Sequence, residues 1–134
     1  DSRAQTLAED IIKNFGPVAE FVSFDDKAAM EKAGGADVLI NATGVGMAET
    51  IDQSPFSEDI IRPEHICYDA TYNPTETCFL RQGRERGCVA VNGIGMLLYQ
   101  GVAQIKIWTG EDAPVETMAR ELEDILAGRP EAGI

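Results

Sequence analysis

A parallel α/β sheet, its strands joined by helices, is the fold class that the 134-residue sequence predicts. Three observations carry that expectation. Short apolar runs end in a polar residue or glycine, amphipathic helical segments alternate with them, and glycine or Asn-Pro turns punctuate the boundaries. Strands linked by helical crossovers run parallel, and ligands of such sheets bind beyond the carboxyl ends of the strands.

Ser2 and Gln5 have the spacing of a capping box, and Leu7, Ile11 and Phe15 mark one helix face until Gly16-Pro17. Residues 20–24 read as a short strand, Asp25 as the N-cap of a helix through Lys32, and Gly34-Gly35 as its stop. Residues 37–41 (DVLIN) form a compact apolar run, the pattern of a strand buried on both faces. A loop with Gly44, Gly46 and Pro55 leads through a helical turn at residues 57–61 to a strand at 65–69. Tyr72-Asn73-Pro74 is turn chemistry. A helix at 76–85 stops at Gly87, and a strand follows at 88–91. The segment from Gly93 to Trp108 is apolar almost all round and reads as a buried helix. Pro114 opens the last helix, with Val115, Met118, Ala119, Leu122, Ile125 and Leu126 on one face and Gly128 as the stop.

A composition of 44% hydrophobic and 25% charged residues suits one globular domain. The net charge of −12 repels phosphate backbones and anionic lipid, so neither nucleic acid nor a membrane is expected as a partner. Cys67, Cys78 and Cys88 are odd in number and match no zinc spacing, which predicts reduced thiols, a cytoplasmic location and no metal. His65, in a strand-like stretch with no second histidine, is expected to be structural.

Three strand ends carry glycine or polar residues that packing does not require: Asn41-Ala42-Thr43-Gly44, Asp69-Ala70-Thr71-Tyr72 and Asn92-Gly93-Ile94-Gly95. Together they would form one rim. The glycine-rich phosphate turn of dinucleotide folds is absent, because Gly93-Ile94-Gly95 lacks the third glycine and Gly44-Val45-Gly46 is followed by Met-Ala-Glu.

The wording of these segments is more specific than their spacing. Asp37-Val38-Leu39-Ile40-Asn41-Ala42-Thr43-Gly44-Val45-Gly46-Met47 closely resembles the strand and loop of shikimate dehydrogenases. Tyr68-Asp69-Ala70-Thr71-Tyr72-Asn73-Pro74-Thr75-Glu76-Thr77 and Asn92-Gly93-Ile94-Gly95-Met96-Leu97-Leu98-Tyr99-Gln100 are similar to two later segments of that family, in the same order, with Ile107-Trp108-Thr109-Gly110 after them. Asn92 stands where the family commonly has Asp, and Cys78 where it has Pro. The resemblance covers nearly the whole chain and corresponds to the C-terminal portion of such an enzyme. It implies a Rossmann-like doubly wound sheet lacking its first strands and glycine-rich turn, and NADP-dependent reversible reduction of 3-dehydroshikimate to shikimate in the chorismate pathway.

Residue by residue, the resemblance implies that Arg3 holds the adenosine 2′-phosphate, as the planar guanidinium fork suits. Asn41, Ala42, Thr43 and Gly44 would line the cofactor, Thr43 with its hydroxyl. Ala70 stands where the family often has a larger apolar residue and would meet the nicotinamide end through its backbone. Gly93 would approach the carboxamide because it lacks Cβ. Met96 and Gln100 share a face of the following helix at i and i+4. Met96 would pack on the nicotinamide, while Tyr72 and Gln100 would hold the substrate. A polar amide in an apolar helix needs a partner in any case, which singles out Gln100 independently. Tyr68, Asp69 and Asn73 read as structural, and Arg81, Arg84 and Arg86 as a solvated helix surface.

No catalytic residue is expected in these 134 residues, since the family's Lys–Asp pair lies in an N-terminal domain. Asp1 is not an initiator Met, and the chain reads as part of a longer polypeptide whose N-terminal region is its partner. An NAD-using quinate/shikimate dehydrogenase and a non-catalytic dinucleotide-binding module are the alternatives. A homodimer stays open.

Overall fold

The computed structural model describes residues 2–128. They divide into two compact units, the first ending at Ala36 and the second starting at Asp37.

The first unit holds α1 (Ser2–Phe15) and α2 (Lys27–Ala33). Ser2 lies within α1 instead of capping it, and the Gln5 amide donates to Glu9 at 3.2 Å, so the expected capping box does not form. Gly16 ends the helix at φ +83°, where its N–H donates to the Ile12 carbonyl. Residues 20–24 form no strand. A ladder needs a neighbour to take its N–H and C=O groups, and no described strand pairs with this segment. It turns instead at Ser23, whose carbonyl accepts from Asp26 N–H. The cap of α2 is accordingly one residue later than expected, since Asp26 supplies the first carbonyl, to Met30 N–H.

The second unit is built on a parallel sheet in the order β1 (Val38–Asn41), β2 (Ile66–Asp69), β3 (Val89–Val91), with Asn41 opposite Asp69 and Cys67 opposite Ala90. The connection from β1 to β2 carries two 3₁₀ turns, Ala48–Thr50 and Glu58–Ile60, while β2 reaches β3 through α3 (Cys78–Glu85). Then come α4 (Ile94–Thr109) and α5 (Val115–Leu126). The parallel α/β class holds, with three strands among the described residues.

The core lies between one sheet face and α3. Leu39, Ile61, Cys67, Phe79 and Leu80 are buried there, and Phe56 stacks on Phe79 at 46° with ring centroids 5.1 Å apart. Gly83 lets α3 sit close: a Cβ there would lie 3.0 Å from Cys67 Sγ. The other face of the sheet is open. Val38, Ile40, Ile66, Val89 and Val91 are all at least 41% exposed, so β1 alternates in and out and is not buried on both faces.

α4 also departs from expectation. None of its residues is buried, and Tyr99, Ile107 and Trp108 are 63%, 79% and 76% exposed. Among the described residues its main helical neighbour is α5, where a Cβ on Gly101 would lie 3.0 Å from Met118 Cε, and one such partner cannot cover a helix that is apolar on every side.

His65 is buried, its Nδ1 accepting the Arg62 N–H at 3.0 Å. The three cysteines are buried and unbridged. Burial, with Cys88 beside it, pushes the Cys67 thiol up to about 12.

Two outcomes follow from this packing. The folded chain keeps Cys67 protonated while the unfolded chain ionises it near the ordinary thiol value, so its contribution to stability is complete below pH ~9 and is lost as pH rises towards 12. Alkylation at pH 8 should therefore leave Cys67 unlabelled until urea is added, which mass spectrometry of the modified chain checks. At Gly93 an added Cβ would lie 2.1 Å from the Ala70 carbonyl oxygen. Gly93→Ala should cost at least ~2 kcal/mol of unfolding free energy in urea, whereas Gly95→Ala, with nothing within 4 Å, should be neutral or gain up to ~1 kcal/mol.

Candidate functional site

The carboxyl ends of β1, β2 and β3 bring three of the sequence-predicted turns into one rim. The backbone ladder gives out there. Between β1 and β2 its last bond runs from Ala70 N–H to the Asn41 carbonyl at 2.9 Å, and side chains then take over the connections between those two ends.

Asp69, fully buried, is the hub. Its Oδ1 accepts the Thr71 N–H at 2.9 Å, its Oδ2 accepts the Thr77 hydroxyl at 2.7 Å, and both oxygens lie 3.1 Å from the donating Asn41 Nδ2. Thr77 Oγ1 in turn accepts the Leu80 N–H and so caps α3. A buried carboxylate surrounded by donors is stable where an unpaired one would not be.

Asn41 is 1% exposed and its amide is committed internally. Nδ2 also donates to the Val45 carbonyl, and Oδ1 accepts the Thr43 N–H at 3.0 Å and the Thr43 hydroxyl at 2.7 Å. Thr43 Oγ1 further accepts the Val45 N–H. Both side chains therefore shape the turn, and the Thr43 hydroxyl proton is already in use. What this turn leaves open is backbone: a Cβ on Gly44 would meet nothing within 4 Å.

Gly93 has a packing requirement of its own. The space its Cβ would fill is occupied by the Ala70 carbonyl, and its N–H donates to the Thr71 carbonyl at 2.9 Å. Glycine is thus required by the approach of the β3 end to the β2 end. Ala70 is half-buried, Tyr72 is 38% exposed, and Thr71 Oγ1 is buried with no hydrogen-bond partner. Met96 and Gln100 lie exposed on α4, so the Gln100 amide is open to solvent and burial does not oblige it to find a protein partner. Asn92 Nδ2 donates to the Thr75 carbonyl and its Oδ1 accepts the Ile94 N–H, tying the start of α4 to the loop after β2.

Arg3 belongs to the first unit. On α1 it lines an open groove of about 340 Å³ with Ser2, Thr6, Leu7 and Asp10. Among the described residues no three His, Cys, Asp or Glu side chains gather as metal ligands, and no helix is long and apolar enough to cross a membrane. Asp69 is structural, as expected, and holds the rim through Asn41 and Thr71, while Thr77 anchors it to α3. The signal for the Thr71 bond was present in Asp69-Ala70-Thr71, the spacing at which an Asp side chain takes the backbone N–H two residues on.

A family model described as the shikimate 5′-dehydrogenase C-terminal domain matches residues 93–123. The NADP(+) shikimate dehydrogenase of Desulforamulus reducens is 36% identical over 126 residues, 93% of this chain and 43% of that protein. The crystal structure of shikimate 5-dehydrogenase from Listeria monocytogenes, in complex with shikimate and NAD, superposes with a TM-score of 0.82 at 33% identity, covering 89% of this chain and 42% of that one. A shikimate dehydrogenase in complex with NADP+ gives 0.81 at 31% identity, over 93% of this chain and 44% of that one. The chain thus spans less than half the length of the relatives it matches. Its strand-end rim, its motifs and its fold agree with these matches: over nearly its whole length the chain is similar to part of the shikimate dehydrogenases, the part that includes their C-terminal domain.

Proposed function

We propose that residues 1–134 form the C-terminal part of the cofactor-binding domain of an NADP-dependent shikimate dehydrogenase, which interconverts 3-dehydroshikimate and shikimate in the cytoplasm. The observation that carries this reading is the rim itself. Three family-like turns meet at the strand ends, and Gly44 exposes backbone that no described residue requires to be bare.

The rim suits a dinucleotide in a chain of net charge −12. Repulsion by the overall charge must be offset locally, by backbone dipoles and by a few placed cations. Residues 41–44 offer a preshaped turn, and the backbone at Ala70 and Gly93 and the Met96 side chain would face the nicotinamide end. Thr71 Oγ1 adds an orphaned hydroxyl at the same edge. When bound, NADP(H) supplies or accepts the hydride. The residues of this chain bind and orient: Tyr72 Oη and the Gln100 amide would hydrogen-bond substrate hydroxyls. The proton-transferring Lys–Asp pair that serves the carbonyl oxygen would come from the N-terminal region of the polypeptide.

The test uses the polypeptide that carries this chain together with that region. Absorbance at the NADPH band should rise with shikimate and NADP+, and more slowly with NAD+ or quinate; no shikimate-dependent signal would refute the reading. The 134 residues alone should give none. Gly44→Ala should raise the NADP+ dissociation constant about tenfold, ~1.4 kcal/mol, while leaving the melting temperature unchanged because its Cβ meets no protein atom. Calorimetric titration beside a thermal melt separates the two.

A further inference from the structure

The turn after β1 and the turn after β2 are joined by a side-chain relay that begins where the ladder ends. Thr43 N–H and hydroxyl donate to Asn41 Oδ1, Asn41 Nδ2 donates to the Asp69 carboxylate, and Asp69 Oδ1 accepts the Thr71 N–H. Thr77 anchors the same carboxylate to the start of α3 through Oδ2. We propose that Asp69 is a positioning residue that couples the cofactor-side turn at residues 41–44 to the substrate-side turn at residues 70–72. This rests on the functional reading above, which puts the two ligands of a hydride transfer on those two turns.

The chemistry of the hub requires a carboxylate. Three groups converge on it, and each donates: the Asn41 amide, the Thr71 N–H, and the Thr77 hydroxyl, whose oxygen is occupied in accepting from Leu80 N–H. An asparagine at this position would turn an NH2 group towards one side of that set. Facing Oδ1's partners it opposes Thr71 and Asn41; facing Oδ2's partners it opposes Thr77 and Asn41. Either orientation sets donor against donor at Asn41. The disturbance then passes through Asn41 to Thr43, which makes no bond to Asp69 itself. Hydride transfer is sensitive to displacements of this kind, because the reacting atoms must be held in near-contact geometry.

Thr77→Val is the matching control. It removes the anchor to α3 and uncaps that helix, but leaves the bonds to Asn41 and Thr71 in place. In the polypeptide carrying this chain and the N-terminal region, Asp69→Asn should raise both the NADP+ dissociation constant and the shikimate KM by about tenfold. It should lower kcat as well, and speed amide exchange at Thr43 as well as Thr71. Thr77→Val should lower the melting temperature while holding both constants within about twofold. Should Asp69→Asn fail to fold, Asn41→Ala severs the relay in its middle and should weaken NADP+ binding and loosen Thr43 with the Asp69–Thr71 bond kept. A wild-type polypeptide that binds no NADP+ overturns the functional reading, and this proposal with it. If wild type binds NADP+ and Asp69→Asn, or Asn41→Ala in its stead, binds it equally, the proposal alone falls. It also falls if Thr77→Val loses affinity as much as Asp69→Asn at the same loss of melting temperature, since global destabilisation then explains both.

Discussion

The buried carboxylate of Asp69 is the constraint on which the second unit turns. A charge removed from water is strongly unfavourable unless hydrogen bonds replace its hydration, and here three donors do so. Each donor comes from a different piece of chain: Asn41 from the end of β1, Thr71 from the loop after β2, Thr77 from the start of α3. Satisfying one side chain therefore fixes three segments at once. The backbone ladder alone could not, since between β1 and β2 it stops at the Ala70–Asn41 bond.

Glycine serves this architecture in two opposite ways. At Gly83 and Gly93 the missing Cβ makes room for the protein itself, for Cys67 Sγ under α3 and for the Ala70 carbonyl at the rim. At Gly44 it leaves room that the protein does not fill. The distinction matters for function: a glycine demanded by packing says nothing about a ligand, while one with open space above it marks a place where something can approach the backbone. In a chain with twenty-three acidic and eleven basic residues, that access to uncharged backbone offers an anionic dinucleotide a foothold that the surface at large denies.

The helices of the chain were legible because their signals are local. The apolar period of α1, the stops at Gly16 and Gly87 and the stripe of α5 each lie within a few residues of what they specify. The strands at β1, β2 and β3 were legible for the same reason. Residues 20–24 have an equally apolar local pattern but no described strand pairs with them, and a strand is defined by a neighbour that its own sequence does not encode. The apolar composition of α4 likewise predicts a need for cover without saying what supplies it; within the described residues α5 covers one side, and Tyr99, Ile107 and Trp108 stay open. Of the rim, the positions were readable and the roles only partly so. Asn41 and Thr43 stood out as polar groups at a strand end, yet their side chains bond inward, and Gly93 stood out as a site glycine without any local sign of its steric need beside Ala70.

The amino-acid sequence by itself determined the parallel α/β class, the order of the elements in the second unit, the acidic balance and the kinship of the three strand-end segments, all of which are properties of neighbouring residues or of the chain summed. Only the tertiary structure decided that Asp69 is shared by three segments, that one sheet face is covered and the other open, and that Gly44 and Gly93 are bare for opposite reasons. Those facts depend on distances between residues as far apart as Asn41 and Asp69, or Ala70 and Gly93, which no local pattern fixes.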